Sequence, residues 1–128
     1  RYNAARQQAA SFYDEAFRAC EKITIPKRAA YSTHVFHQYT IKVSNSRDEL
    51  RAFLRAAGIP SMVYYPLPIH LQKGYQQFGY EKGSLPVSEQ LCEQVISLPM
   101  HTELTMEQLA YIAEKVLALY LLKSSSPV

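Results

Sequence analysis

Apolar side chains at Tyr2, Ala5, Ala9, Phe12, Tyr13, Ala16, Phe17 and Cys20 recur at spacings of three and four, which predicts one long amphipathic helix over residues 2–20. Pro26 lies beyond its end, and KRAAYST (27–33) reads as a linking loop. From His37 the period changes to two. Tyr39, Ile41 and Val43 alternate with Gln38, Thr40 and Lys42, the pattern of a half-buried strand. Ser46 and Glu49 have the spacing of a capping box, followed by a helical stripe of Leu50, Phe53, Leu54 and Ala57. Gly58 is placed to end that helix in a left-handed turn. SMVY (61–64) predicts a second strand, and Pro86 opens a third helix expected to bury Val87, Leu91 and Cys92. VISL (95–98) predicts the third strand, ended by Pro99. Thr105 and Gln108 form a second capping box, Leu104 is placed to staple against Leu109, and Ala113, Val116, Leu117 and Tyr120 extend the last helical face.

Short strands separated by helices, with long helices at both ends, predict an α+β fold: a small, three-stranded, mainly antiparallel sheet covered by helices on one face. The order of the strands does not follow from the pattern. A chain of 128 residues is long enough for one domain with a true core, and its 48% apolar and 20% charged content is that of a soluble globular protein.

The net charge of +3 is spread out, and no Lys/Arg cluster interleaves with aromatics, so nucleic acid is not an expected partner. No apolar run spans a bilayer and no signal segment is present, so no membrane partner is expected. Cys20 and Cys92 stand far apart without metal spacing and read as reduced thiols of a cytoplasmic protein. The opening RYNAARQQAA has no initiator Met and is already helical in pattern, which reads as a piece of something larger. KSSSPV (123–128) is expected to be a disordered tail.

Residues 58–70, GIPSMVYYPLPIH, hold three prolines, two adjacent tyrosines and a terminal histidine, with no Asp, Glu, Lys or Arg among them. The prolines call for a loop and the lack of charge calls for burial. No nucleophile elbow, phosphate-binding glycine loop or metalloprotease motif occurs. Of His34, His37, His70 and His101, none are spaced i, i+4 on a helix, which argues against a metal site. His70 has the strongest functional claim, because it follows a proline-stiffened backbone. His37 precedes the first long strand, and His101 follows the third strand, where functional loops often sit. Tyr64 and Tyr65, at a strand end, face opposite ways. Either both are packing aromatics, or one presents its hydroxyl to a polar ligand.

Taken in order, HVFHQYTIKV (34–43), RDELRAFLRAAGIPSMVYYPLPIHLQKGY (47–75) and LPVSEQLCEQVISLPMHTELTMEQL (85–109) resemble the C-terminal small domain of DegT/StrS-type aminotransferases of fold-type I. The resemblance implies that residues 1–122 are that small domain. It also implies a parent enzyme that uses pyridoxal 5'-phosphate, held on a large-domain lysine, to move an amino group from glutamate to a nucleotide-linked keto-sugar. The QYTI strand and the proline loop resemble the branch acting on UDP-3-keto sugars for lipopolysaccharide or other surface polysaccharide, as cytoplasmic homodimers. No lysine here sits in a matching motif, so no catalytic residue is carried over, and this piece alone is expected to be inactive.

The family's G-I-x-x-x-x-H-Y-P loop, whose His-Tyr pair helps hold the sugar nucleotide, maps its Tyr onto Tyr65 and its His onto Tyr64. A phenol donates a hydrogen bond but does not shuttle protons near neutral pH as imidazole does. His70 matches a frequent family histidine, with Gln72 and Tyr75 behind it, while Lys73 stands where the family often has proline. Substrate contact is therefore expected from Tyr65, Tyr64 and His70. The alternative from another class is a self-standing α+β interaction module, with the proline segment as its docking surface.

Overall fold

The period-two segment forms the strand around which the core is built. In the computed structural model, which describes residues 2–124, it is β2 (Tyr39–Val43), with Tyr39, Ile41 and Val43 buried and Lys42 exposed. It pairs antiparallel on one side with β1 (Ile23–Thr24) and on the other with β3 (Val95–Leu98), giving the order β1-β2-β3. The register sets Tyr39 opposite Leu98 and Ile41 opposite Ile96, so the apolar residues of both strands share a face. That face joins one buried cluster with α1 (Tyr2–Phe17), α2 (Arg47–Ala56) and α4 (Met106–Ser124). α3 (Pro86–Gln94) and two 3-10 turns, Ile69–Leu71 and Lys73–Phe78, complete the fold. The architecture is the expected α+β one, and its sheet is wholly antiparallel.

Helix ends follow local chemistry at three of the expected places. Gly58 adopts φ +75°, its N–H donates to Arg55 O, and the Ile59 N–H reaches back to Leu54 O. These are the paired bonds of a Schellman ending, with Ile59 buried against the core. At α4, the Thr105 N–H donates to Gln108 Oε1 and the Gln108 N–H to Thr105 Oγ1, so the second capping box is formed. Pro86 occupies the first turn of α3.

Other expectations are corrected. Ser46 starts α2, but its hydroxyl makes no cap bond; it lies 3.1 Å from the Tyr120 hydroxyl and joins α2 to α4 instead. SMVY, expected as the second strand, is not a strand of the sheet; its place among the three is taken by β1, whose two residues are too few to show a period. SMVY contributes a single bridge, Met62 opposite Ser97. α1 stops at Phe17 rather than Cys20, where the chain turns by Cys20 N–H to Phe17 O and Ile23 N–H to Cys20 O bonds. α3 buries none of its residues, and Val87 is 69% exposed. The last helix runs to Ser124, two residues into the segment expected as a tail; residues 125–128 lie outside the described ones. Arg47 was not anticipated. Its buried guanidinium donates to Cys92 O and Val95 O, satisfying carbonyls at the end of α3.

The core carries three phenols that burial keeps neutral. Tyr13 donates to Pro99 O at 3.0 Å, and Tyr39 donates to Asp14 Oδ1 at 2.7 Å, where Arg28 holds the other carboxylate oxygen. Burial pushes Tyr13, Tyr39 and Tyr120 upward; the Asp14 carboxylate adds to the rise at Tyr39, and Ser46 partly offsets it at Tyr120. A phenol whose proton is held more tightly in the folded state contributes stability that is complete below the unfolded value of about 10 and is lost as pH rises beyond it. Alkaline titration is therefore expected to show two phases in tyrosinate absorbance. Tyr13, Tyr39 and Tyr120 make up the later phase, which comes together with loss of circular dichroism. A single reversible step for all ten tyrosines would contradict it.

Candidate functional site

The 58–70 loop is irregular because its prolines cannot donate to a ladder, and it is fixed because it touches the sheet at one point. The Met62 N–H donates to Ser97 O at 3.1 Å, and the Ser97 N–H to Met62 O at 2.7 Å. With both backbone groups of Ser97 turned to Met62, the opposed pair Thr40 and Ser97 is one whose side chains approach closely. Their hydroxyls lie 2.7 Å apart.

Beyond the bridge the two tyrosines part. Their rings meet edge to face at 5.7 Å, the peptide between them is cis, and each lines a different concavity. Tyr65, 70% exposed, borders a groove of about 840 Å³ with Leu67, His70, Tyr75, Phe78, Tyr80 and Leu91. Tyr64, 39% exposed, borders a smaller one with His37 and His101. Of the three expected site residues, the structure thus brings Tyr65 and His70 together and sends Tyr64 elsewhere.

His70 is 6% exposed, and its Nε2 lies 3.0 Å from Glu89 Oε1 on α3. Glu89 also accepts the Gly83 N–H with both oxygens, at 2.8 and 2.9 Å, and the Leu85 N–H at 3.3 Å. The Gly83 amide, chiefly, holds its carboxyl below the ordinary glutamate value against the opposing effect of desolvation, with further lowering from His70 and the Leu85 amide. Glu89 thereby ties the proline loop, the 79–85 turn and α3 into one wall of the larger groove. It was missed in the sequence because an acid in the first turn of a helix reads as a partner for the helix dipole. Among the described residues, no group of three or more His, Cys, Asp or Glu could hold a metal ion.

A carboxylate held low in pKa contributes stability present above the ordinary glutamate range and lost as pH falls through the depressed value. Glu89→Ala should therefore speed amide hydrogen exchange at Gly83 and Leu85 several-fold while α1 and α4 stay protected. Acidification of the unsubstituted protein should do the same below the glutamate range. Equal exchange in both proteins would show that these amides are protected by something else.

The match to known proteins covers nearly the whole chain. The model of the DegT/DnrJ/EryC1/StrS aminotransferase family fits residues 1–117. A "pleiotropic regulatory protein" of Geobacillus stearothermophilus is 48% identical over 98 residues, 77% of this chain and 26% of that protein. A UDP-N-acetyl-3-dehydro-alpha-D-glucosamine 3-aminotransferase of Acidithiobacillus ferrooxidans is 43% identical over 113 residues, 88% of this chain and 29% of the enzyme. The S. venezuelae protein DesV, solved in complex with a ketimine intermediate, superposes with a TM-score of 0.87 at 32% identity, over 92% of this chain and 32% of its own. The chain spans less than a third of the length of each of these proteins. On the strength of the family model and the shared fold, it belongs to the DegT/DnrJ/EryC1/StrS aminotransferase family.

Proposed function

We propose that this chain is the substrate-facing small domain of a pyridoxal-phosphate-dependent aminotransferase that carries an amino group from glutamate to a nucleotide-linked keto-sugar, with UDP-3-keto sugars the favoured class. The observation that carries the reading is the presentation of Tyr65: a stiff loop, stitched to the sheet at Met62, holds an exposed phenol at the lip of an aromatic groove. Tyr65 is the substrate contact through its hydroxyl. His70, locked to Glu89, fixes the groove wall behind it. Tyr64 is a second contact from the neighbouring concavity. The relative from Acidithiobacillus ferrooxidans, named for a UDP-linked 3-dehydro sugar, supports the substrate class.

Pyridoxal phosphate needs an amine for its Schiff base, and among the described residues no lysine lines either concavity. The residues present do not fit the cofactor by themselves, and no step through it is assigned to them. On this reading its lysine comes from outside these 128 residues, and the piece alone is inactive. A cytoplasmic homodimer serving surface-polysaccharide biosynthesis goes with the reading and rests on the family resemblance.

The test uses the full enzyme that carries this chain. Loss of a hydrogen bond to a polar ligand costs about 1 kcal/mol or somewhat more, so Tyr65→Phe should raise the nucleotide-sugar KM roughly five- to tenfold. Tyr64→Phe should raise it less, and the glutamate KM should stay put in both. Unchanged nucleotide-sugar kinetics in both variants would remove the loop from the substrate site.

A further inference from the structure

We infer that the concavity beside Tyr64 is a subsite for the diphosphate group of the nucleotide sugar, with His37 and His101 as its principal donors. The inference rests on the reading proposed above, which supplies the ligand, and adds two residues and a chemical role to it.

The concavity, about 360 Å³, gathers side chains from three places in the chain: His37 and Gln38 at the start of β2, Ser61 and Tyr64 from the proline loop, and His101 beyond β3. The backbone bridge between Met62 and Ser97 is what brings them together. His37, Gln38, Ser61 and Tyr64 make no side-chain hydrogen bond within the described residues. His101 accepts the Glu103 N–H at Nδ1, 3.3 Å, which leaves Nε2–H as its free donor. Ser97, by contrast, spends its hydroxyl on Thr40.

No carboxylate lines the concavity, so an anion meets donors without a repelling charge. The oxygens of a diphosphate accept several such bonds at once, and bonds to an ionised acceptor are the stronger kind.

The backbone beside His37 supports the same assignment. Phe36 holds φ +47°, a left-handed conformation that a bulky side chain rarely adopts. It is kept there by burial to 2% exposure, by His34 Nδ1 accepting its N–H at 2.9 Å, and by the Arg28 guanidinium 4.8 Å from its ring centre. Backbone held in a sparsely populated conformation by several contacts is found at functional sites, and the residue that follows it here is His37.

The decisive measurement is calorimetric binding of inorganic pyrophosphate and of inorganic phosphate to the full enzyme carrying this chain. It is made for the unsubstituted protein, His37→Gln, His101→Gln and the double variant, with Lys22→Gln, an exposed position away from the concavity, as the control. Each histidine substitution is expected to weaken pyrophosphate binding about tenfold, the scale of one charge-assisted hydrogen bond. The control should bind as before, and phosphate should bind more weakly than pyrophosphate throughout. Both histidines are exposed, so the variants are expected to fold, which circular dichroism checks. Unchanged pyrophosphate binding in the double variant overturns the subsite, and phosphate binding as tightly as pyrophosphate overturns its assignment to a diphosphate. Failure of the enzyme to aminate any nucleotide sugar would sink the functional reading separately, because the binding result does not depend on turnover.

Discussion

Two backbone hydrogen bonds between Met62 and Ser97 govern the geometry of everything around them. β3 would otherwise end the sheet with a bare edge at this position, and a single residue of the loop occupies it. Pro60, two residues before, and Pro66, four after, have no N–H to continue the pairing, so the chain leaves the sheet as soon as it has touched it. The contact is therefore a pivot rather than a strand. On one side of the Tyr64–Tyr65 step the chain closes a concavity with the two strand ends, and on the other it starts the wall of a groove. A longer ladder would have flattened both.

The pivot alone would leave the rest of the loop loose, and Glu89 is what holds its far end. A single carboxylate takes donors from His70, within the first 3-10 turn, and from Gly83 and Leu85, beyond the second. Such a side chain is effective because ionised acceptors make the stronger hydrogen bonds, and because the backbone amides it meets have no ladder partner. The aromatic lining follows from it: Tyr75, Phe78 and Tyr80 lie on the segment between the two anchored ends. The lack of charge in GIPSMVYYPLPIH does not mean burial: Met62, Tyr65, Leu67 and Ile69 are exposed, and Tyr65, Leu67 and Ile69 border the groove.

Elements whose pattern is repeated several times were legible in the sequence, and those that rest on one long-range contact were not. β2 shows its period over five residues, and α4 carries a capping box and a stripe of buried positions. β1 has two residues and Pro26 close behind, so nothing local separates it from a loop. Ser46 had the right neighbours for a cap, yet Tyr120, 74 positions away, offers its hydroxyl a partner that no local rule includes. Tyr64, Tyr65 and His70 were singled out through chemistry and resemblance, but their division between two concavities depends on the Met62 pivot. Glu89 and the joining of His37 with His101 depend on contacts between segments, and sequence spacing holds no record of those.

The third helix shows where pattern reading and packing part company. Val87, Leu91 and Cys92 have the spacing of a buried stripe, but Val87 is 69% exposed, and Leu91 and Cys92 line the aromatic groove. Helical spacing states that a face is apolar; it does not state that the chain's own core covers it. Here the core is already closed by α1, α2 and α4, and α3 is held at its ends instead, by Arg47 at its last carbonyls and by Glu89 near its start. A helix fixed through polar groups at both ends is free to spend its apolar side chains on a groove wall. That allocation follows directly from the hydrogen bonds of Arg47 and Glu89, and it keeps the groove open.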